Sequence, residues 1–148
     1  MSRIPRFQEH LKTAFTAEAA SAARSRAYAI RAERDGLPNL ARHWRALAEE
    51  KDRLAIELLE ASGQVHGMDA DVGNAISEER YENDALYPRM IRDVNDARMA
   101  DVLLKVVAAQ KDHLRRLEAL REAYNAAQGD VALPVEVDRG TAPSAPAS

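Results

Sequence analysis

Six polar side chains, Glu18, Lys51, Glu79, Glu82, Gln110 and His113, fall where the period of an α-helix asks for an apolar residue. In "WRALAEEKDRLAIELLE", Trp44 to Glu60, the stripe Trp44, Leu47, Leu54, Leu58 is interrupted by Lys51. Glu18 interrupts Leu11, Phe15, Ala22, Ala29 in the same way. Glu79 and Glu82, one turn apart, share a face with Ala75, Ile76 and Leu86, and Gln110 and His113 sit in the stripe of Leu103, Val106, Val107, Leu114 and Leu117. Side chains three, four and seven residues apart lie on one helix face. A buried charge costs several kcal/mol unless it is paired or coordinates a metal. One such residue has a bland reading, since a lone histidine on an apolar face is more often a hydrogen-bonded core residue than a ligand. Polar residues at similar depth on every helix point instead to a shared site, either metal-binding or internally paired.

The elements that carry them are read from period and punctuation. A first helix spans about Pro5 to Asp35 and ends at Gly36; Pro38 opens a second, which closes at Ser62-Gly63 after Ala61. "GQVHGMDADVGN" separates the two halves. A third helix runs from about Asp71 to Val94 through "YPRM", Asn95-Asp96 form a turn or a helix start, and a fourth runs from about Asp96 to Gln128. Two long hairpins imply an all-α four-helix bundle over residues 1–128. Residues 129–148, rich in Pro, Ala and Ser, are expected to be a disordered tail.

Composition narrows the chemistry. The chain has 148 residues and no cysteine, which excludes a disulfide, a rubredoxin-type iron, an iron–sulfur cluster and a cysteine nucleophile within it. Its net charge of −3 argues against nucleic acid as a partner. Arg24, Arg26, Arg31 and Arg34 are interleaved with Glu18, Glu33 and Asp35 and read as a solvated face. There is no apolar leader and no apolar run long enough to span a membrane, so a cytoplasmic location with no membrane partner is expected. Trp44 is expected to be packing, and His10, His43 and His66 to be surface residues. No Gly-rich phosphate loop or nucleophile–base pair is present.

The stretches "AFTAEAASAARSRAYAIRAERDG", "LARHWRALAEEKDRLAIELLE", "NAISEERYENDALYPRM" and "MADVLLKVVAAQKDHLRRLEAL" resemble the diiron domain of rubrerythrins, in the ferritin-like superfamily, over about Phe7 to Tyr124. The resemblance rests on Phe15-x-x-Glu18, the distance from Glu18 through Gly36 to the second helix, and Glu79-x-x-Glu82 followed by Tyr87-Pro88. It implies a ferritin-like bundle of two hairpins with metal ligands at Glu18, Glu79, Glu82 and His113, and Tyr87 close behind them. It also implies peroxide or dioxygen chemistry and a homodimer, with or without exchanged helices. An external electron donor would be required, because the chain lacks the family's Fe(Cys)₄ module.

The chain departs from that family at three ligand positions. Lys51 and Leu54 stand where the second helix of the family has Glu-x-x-His, and Gln110 replaces the glutamate of the fourth helix. Both expected carboxylate bridges are gone and one has become a cation, which disfavours a pair of iron ions. Two alternatives follow. Glu79, Glu82 and His113 hold a single iron or manganese ion, with Glu18 nearby. Otherwise Lys51 replaces metal altogether, Gln110 supplies a neutral amide, and the protein is a metal-free helical bundle used as an interaction or oligomerisation module. The surviving carboxylates favour the first alternative; Lys51 with Leu54 favours the second.

Overall fold

The computed structural model describes residues 6–133, and every regular element among them is helical. α1 spans Arg6–Arg34, α2 Pro38–Ala61, α3 Met68–Tyr81, α4 Tyr87–Asp93 and α5 Ala97–Ala127. A π-helical segment, Glu82–Leu86, joins α3 to α4, so that four helical rods result. The protein is all-α, and no helix among the described residues is long and apolar enough to cross a membrane. The chain forms two compact units, one ending at His66 and one beginning at Gly67. The expected start at Pro5 and all but residues 129–133 of the expected tail lie outside the described residues.

The first unit is the antiparallel hairpin α1–α2. α1 ends in a Schellman turn: the Leu37 N–H donates to the Ala32 carbonyl at 2.8 Å and the Gly36 N–H to Glu33 at 3.1 Å. Gly36 takes φ 73°, a left-handed conformation that costs glycine little. Gly63 closes α2 by the same device.

Its seam is built from small residues. Ala22, Ser25, Ala29 and Ala32 of α1 and Ala41, Ala48 and Ala55 of α2 are the buried positions, spaced by threes and fours on α1 and by whole heptads on α2. Alanine favours the helix and lets two backbones approach closely, so this hairpin gains from dispersion along its length. Ser25 fits the seam because its hydroxyl bonds back to the Ser21 carbonyl at 2.9 Å. Trp44 packs over Ala29, Ala32 and Ala41 and meets Tyr28 edge-on at 5.0 Å.

This corrects the α2 stripe expected from the leucines. The buried line is alanine; Trp44, Lys51 and Leu58 lie beside it, half-buried, and Leu47 and Leu54 are 38% and 48% exposed. Leucine outranks alanine in a hydropathy pattern, but two helices this close have room only for the smaller side chain.

The second unit packs α3, the π segment and α4 against α5. α3 starts at Met68, earlier than the glycines of the central loop suggest, because Gly73 is accommodated inside the helix. α5 is capped by Asp96, whose Oδ1 accepts from the Met99 N–H at 3.0 Å. The π segment was not anticipated. Pro88 has no N–H to offer the Asp84 carbonyl, and its ring crowds that carbonyl. The helix widens in the turn before it, where the Tyr87 N–H reaches back five residues to Glu82. Ile76 is the large side chain most fully enclosed among the described residues.

Candidate functional site

The sequence-derived site residues divide between the two units, and each unit brings its own members together. In the first, antiparallel pairing sets Glu18 of α1 opposite Lys51 of α2. Lys51 Nζ donates to Glu18 Oε2 at 3.1 Å, with the two side chains 24% and 29% exposed. Both residues continue the seam register, so the lysine is in phase with the core and opposed by a carboxylate. Half-burial weakens the hydration of each charge, and the ion pair offsets that loss.

On the outer edge of the same hairpin, Arg26 pairs with Asp52 at 2.6 Å and Arg45 with Glu33 at 2.7 Å. These pairs are one heptad apart on each helix with the charges exchanged, which penalises slippage of the register. Beside Glu18, Ala14, Leu54, Glu57, Leu58 and Ala61 complete the lining of a shallow groove of about 440 Å³. Leu54 is thus a wall of that groove, in the position where the resemblance expects histidine. His10, His43 and His66 are exposed, as anticipated.

In the second unit, Glu79 and Glu82 on one rod face His113 and Gln110 on α5, in matching antiparallel steps. Gln110 Nε2 donates to Glu82 Oε2 at 2.6 Å, and Gln110 is only 7% exposed. His113 Nδ1 lies 3.8 Å from Glu79 Oε1; the histidine side chain is half exposed, whereas that of Glu79 is 20% exposed. Arg80 and Glu118 form an exposed ion pair at 2.7 Å outside this cluster. Tyr87 is half-buried, and among the described residues its hydroxyl reaches no carboxylate.

Asn83 joins this cluster without having been singled out beforehand. It follows Glu82 directly, lies four residues beyond Glu79 and is 8% exposed. Both of its amide atoms are buried without a hydrogen-bond partner, as are Glu79 Oε2 and Gln110 Oε1. The available signal was Pro88, whose missing donor perturbs the turn that carries Asn83.

The donor set does not fit a pair of iron ions. Glu18 already accepts from an ammonium, Leu54 has no ligand atom, and Gln110 turns its donor nitrogen to Glu82. Among the described residues, no three His, Asp or Glu side chains form a group that could share a metal ion. No protein-family model matches the chain, and no curated protein matches it either.

Proposed function

We propose that the chain is a ferritin-like bundle of two helical hairpins that dispenses with diiron chemistry and acts as an interaction and self-association module, a second copy of the chain being its partner. The observation that carries this reading is the Lys51–Glu18 pair. An ammonium within hydrogen-bond reach of a carboxylate neutralises it and occupies the position from which it would address a metal. The Gln110–Glu82 bond supports the same reading in the other hairpin, where a neutral amide orients the carboxylate. Leu40, Leu47 and Leu54 recur at heptad spacing along α2 and are 48%, 38% and 48% exposed, a row suited to covering by another helix.

A second reading, a metal-binding oxidoreductase of peroxide or iron handling fed by an external electron donor, draws its support from the approach of His113 to Glu79. One set of measurements separates the two. For the module, sedimentation equilibrium gives a dimer that Leu47→Glu dissociates, and protein grown with iron and manganese contains no iron pair. About two irons per chain, with turnover of peroxide, overturn the module reading. The Lys51→Glu/Leu54→His double substitution, with Gln110→Glu added, is expected to gain iron; failure to do so removes the ferritin-like register from the proposal.

A further inference from the structure

We infer that the groove beside Glu18 binds a small organic cation with an aliphatic body, an alkylammonium being the simplest case. The inference goes beyond the module reading and does not depend on it. The groove follows from helical spacing. Leu54, Glu57, Leu58 and Ala61 stand at i, i+3, i+4 and i+7 on α2 and share one face, and Ala14 and Glu18, four apart, share one on α1. These two faces line an open space of about 440 Å³. Alanine at 14 and at 61 leaves the room, and Leu54 and Leu58 supply an apolar wall. Such a volume is in the range of small-molecule sites, which combine apolar walls with a few polar groups.

The sign of the ligand follows from the charges. Both charged residues of the lining are carboxylates, and no cation lines the groove. Glu18 is matched by Lys51, whose Nζ donates to its Oε2 at 3.1 Å. Glu57 is exposed and has no hydrogen-bond or ion-pair partner among the described residues. One negative charge therefore remains in a lining that is otherwise apolar. An anion is repelled there, and a neutral alkyl body strips water from Glu57 without replacing it. A metal ion fits poorly, because one carboxylate is already paired and the lining offers no third ligand. An ammonium on an aliphatic chain meets both features, its head pairing with Glu57 while its chain covers Leu54 and Leu58. From Leu54 to Ala61 the helix rises about 10 Å, roughly the length of an extended octyl chain.

The test is titration of the full-length protein with n-octylammonium below its micellar concentration, read by calorimetry and by amide chemical shifts along α1 and α2. Octanol, octanoate and n-butylammonium are titrated in parallel. The expected result is saturable binding of about one octylammonium per chain. Butylammonium binds at least about tenfold more weakly, because it buries fewer methylenes, and octanoate does not bind. Octanol in place of octylammonium, or Glu57→Gln in place of the wild type, weakens binding about fivefold, as loss of an exposed ion pair does. Ala61→Phe fills the groove from an exposed position, leaves both carboxylates in place and abolishes binding. Asp112→Asn, in the other hairpin, leaves it unchanged. Circular dichroism melts report whether each variant folds, and Glu57→Gln keeps the shape of the side chain it replaces. Leu54 also belongs to the row proposed for self-association, so the titration is repeated on Leu47→Glu, a substitution outside the groove lining. Binding in Leu47→Glu alone upholds the site and shows that a second copy covers it. A dimer that Leu47→Glu leaves intact removes the module reading, and octylammonium binding to that dimer upholds the site without it. Absence of saturable binding in both proteins, equal affinity for octanol, or indifference to either Glu57→Gln or Ala61→Phe overturns the inference.

Discussion

The two hairpins handle buried polarity differently. In α1–α2 the seam is alanine, the backbones are close, and the polar residues in phase with the seam are matched: Glu18 by Lys51, and Ser25 by the Ser21 carbonyl. In the hairpin of α3, the π segment, α4 and α5, larger side chains meet around an irregular turn, and polar atoms of Glu79, Asn83 and Gln110 are buried without partners. A regular heptad seam repeats one geometry, so opposite charges placed at the same level meet automatically. An irregular turn breaks that repetition and leaves groups whose partner must come from elsewhere. Among the described residues, the first hairpin thus pairs its buried polar side chains internally, whereas the second leaves some of them without a partner inside the protein.

Three substitutions test that comparison. The largest effect is expected from Ala29→Leu, at a fully buried seam position. Overpacking there forces the helices apart, and urea unfolding should record a loss of about 3 kcal/mol. A loss below about 0.5 kcal/mol, within the range of an ordinary surface change, would show that the seam is not tightly packed. Next comes Gln110→Leu, which removes the donor held by Glu82 in a buried setting. The expected cost is about 2 kcal/mol, and the Lys51 pair in the other hairpin should be untouched, as amide hydrogen exchange along α2 would report. Stabilisation instead would mean that Gln110 is only a liability of the core. The smallest effect is expected from Lys51→Met. This leaves Glu18 without its cation at a position that still reaches water, so about 1 kcal/mol is lost. That loss should shrink in high salt, which weakens the wild-type pair without affecting the variant. A salt-independent loss would assign the cost to packing of the lysine stem.

Much of this was legible in the residues. Helical periodicity, the Gly36 stop, Pro38 at a first turn and the Asp96 cap each act through local backbone chemistry, and the structure uses them where they stand. The polar positions on the helices were also visible, because helical spacing puts each of these polar side chains in phase with an apolar stripe. The buried face of α2 was less legible. Hydropathy ranks Leu47 and Leu54 above Ala48 and Ala55, yet the close approach of α1 admits alanine and leaves those leucines half open. Asn83 was missed because an asparagine beside charged neighbours reads as a surface residue.

The sequence alone therefore determined the four helical segments, most of their ends and which side chains break the apolar pattern, since each depends on neighbours a few positions away; the early start of α3 and the π segment were beyond it. Tertiary structure decided what those side chains meet. Lys51 and Glu18 are 33 positions apart and Gln110 and Glu82 are 28 apart, and neither partnership follows from helical period alone. It follows from the register in which two helices pack, set on one side by alanine heptads and on the other by a turn widened ahead of Pro88.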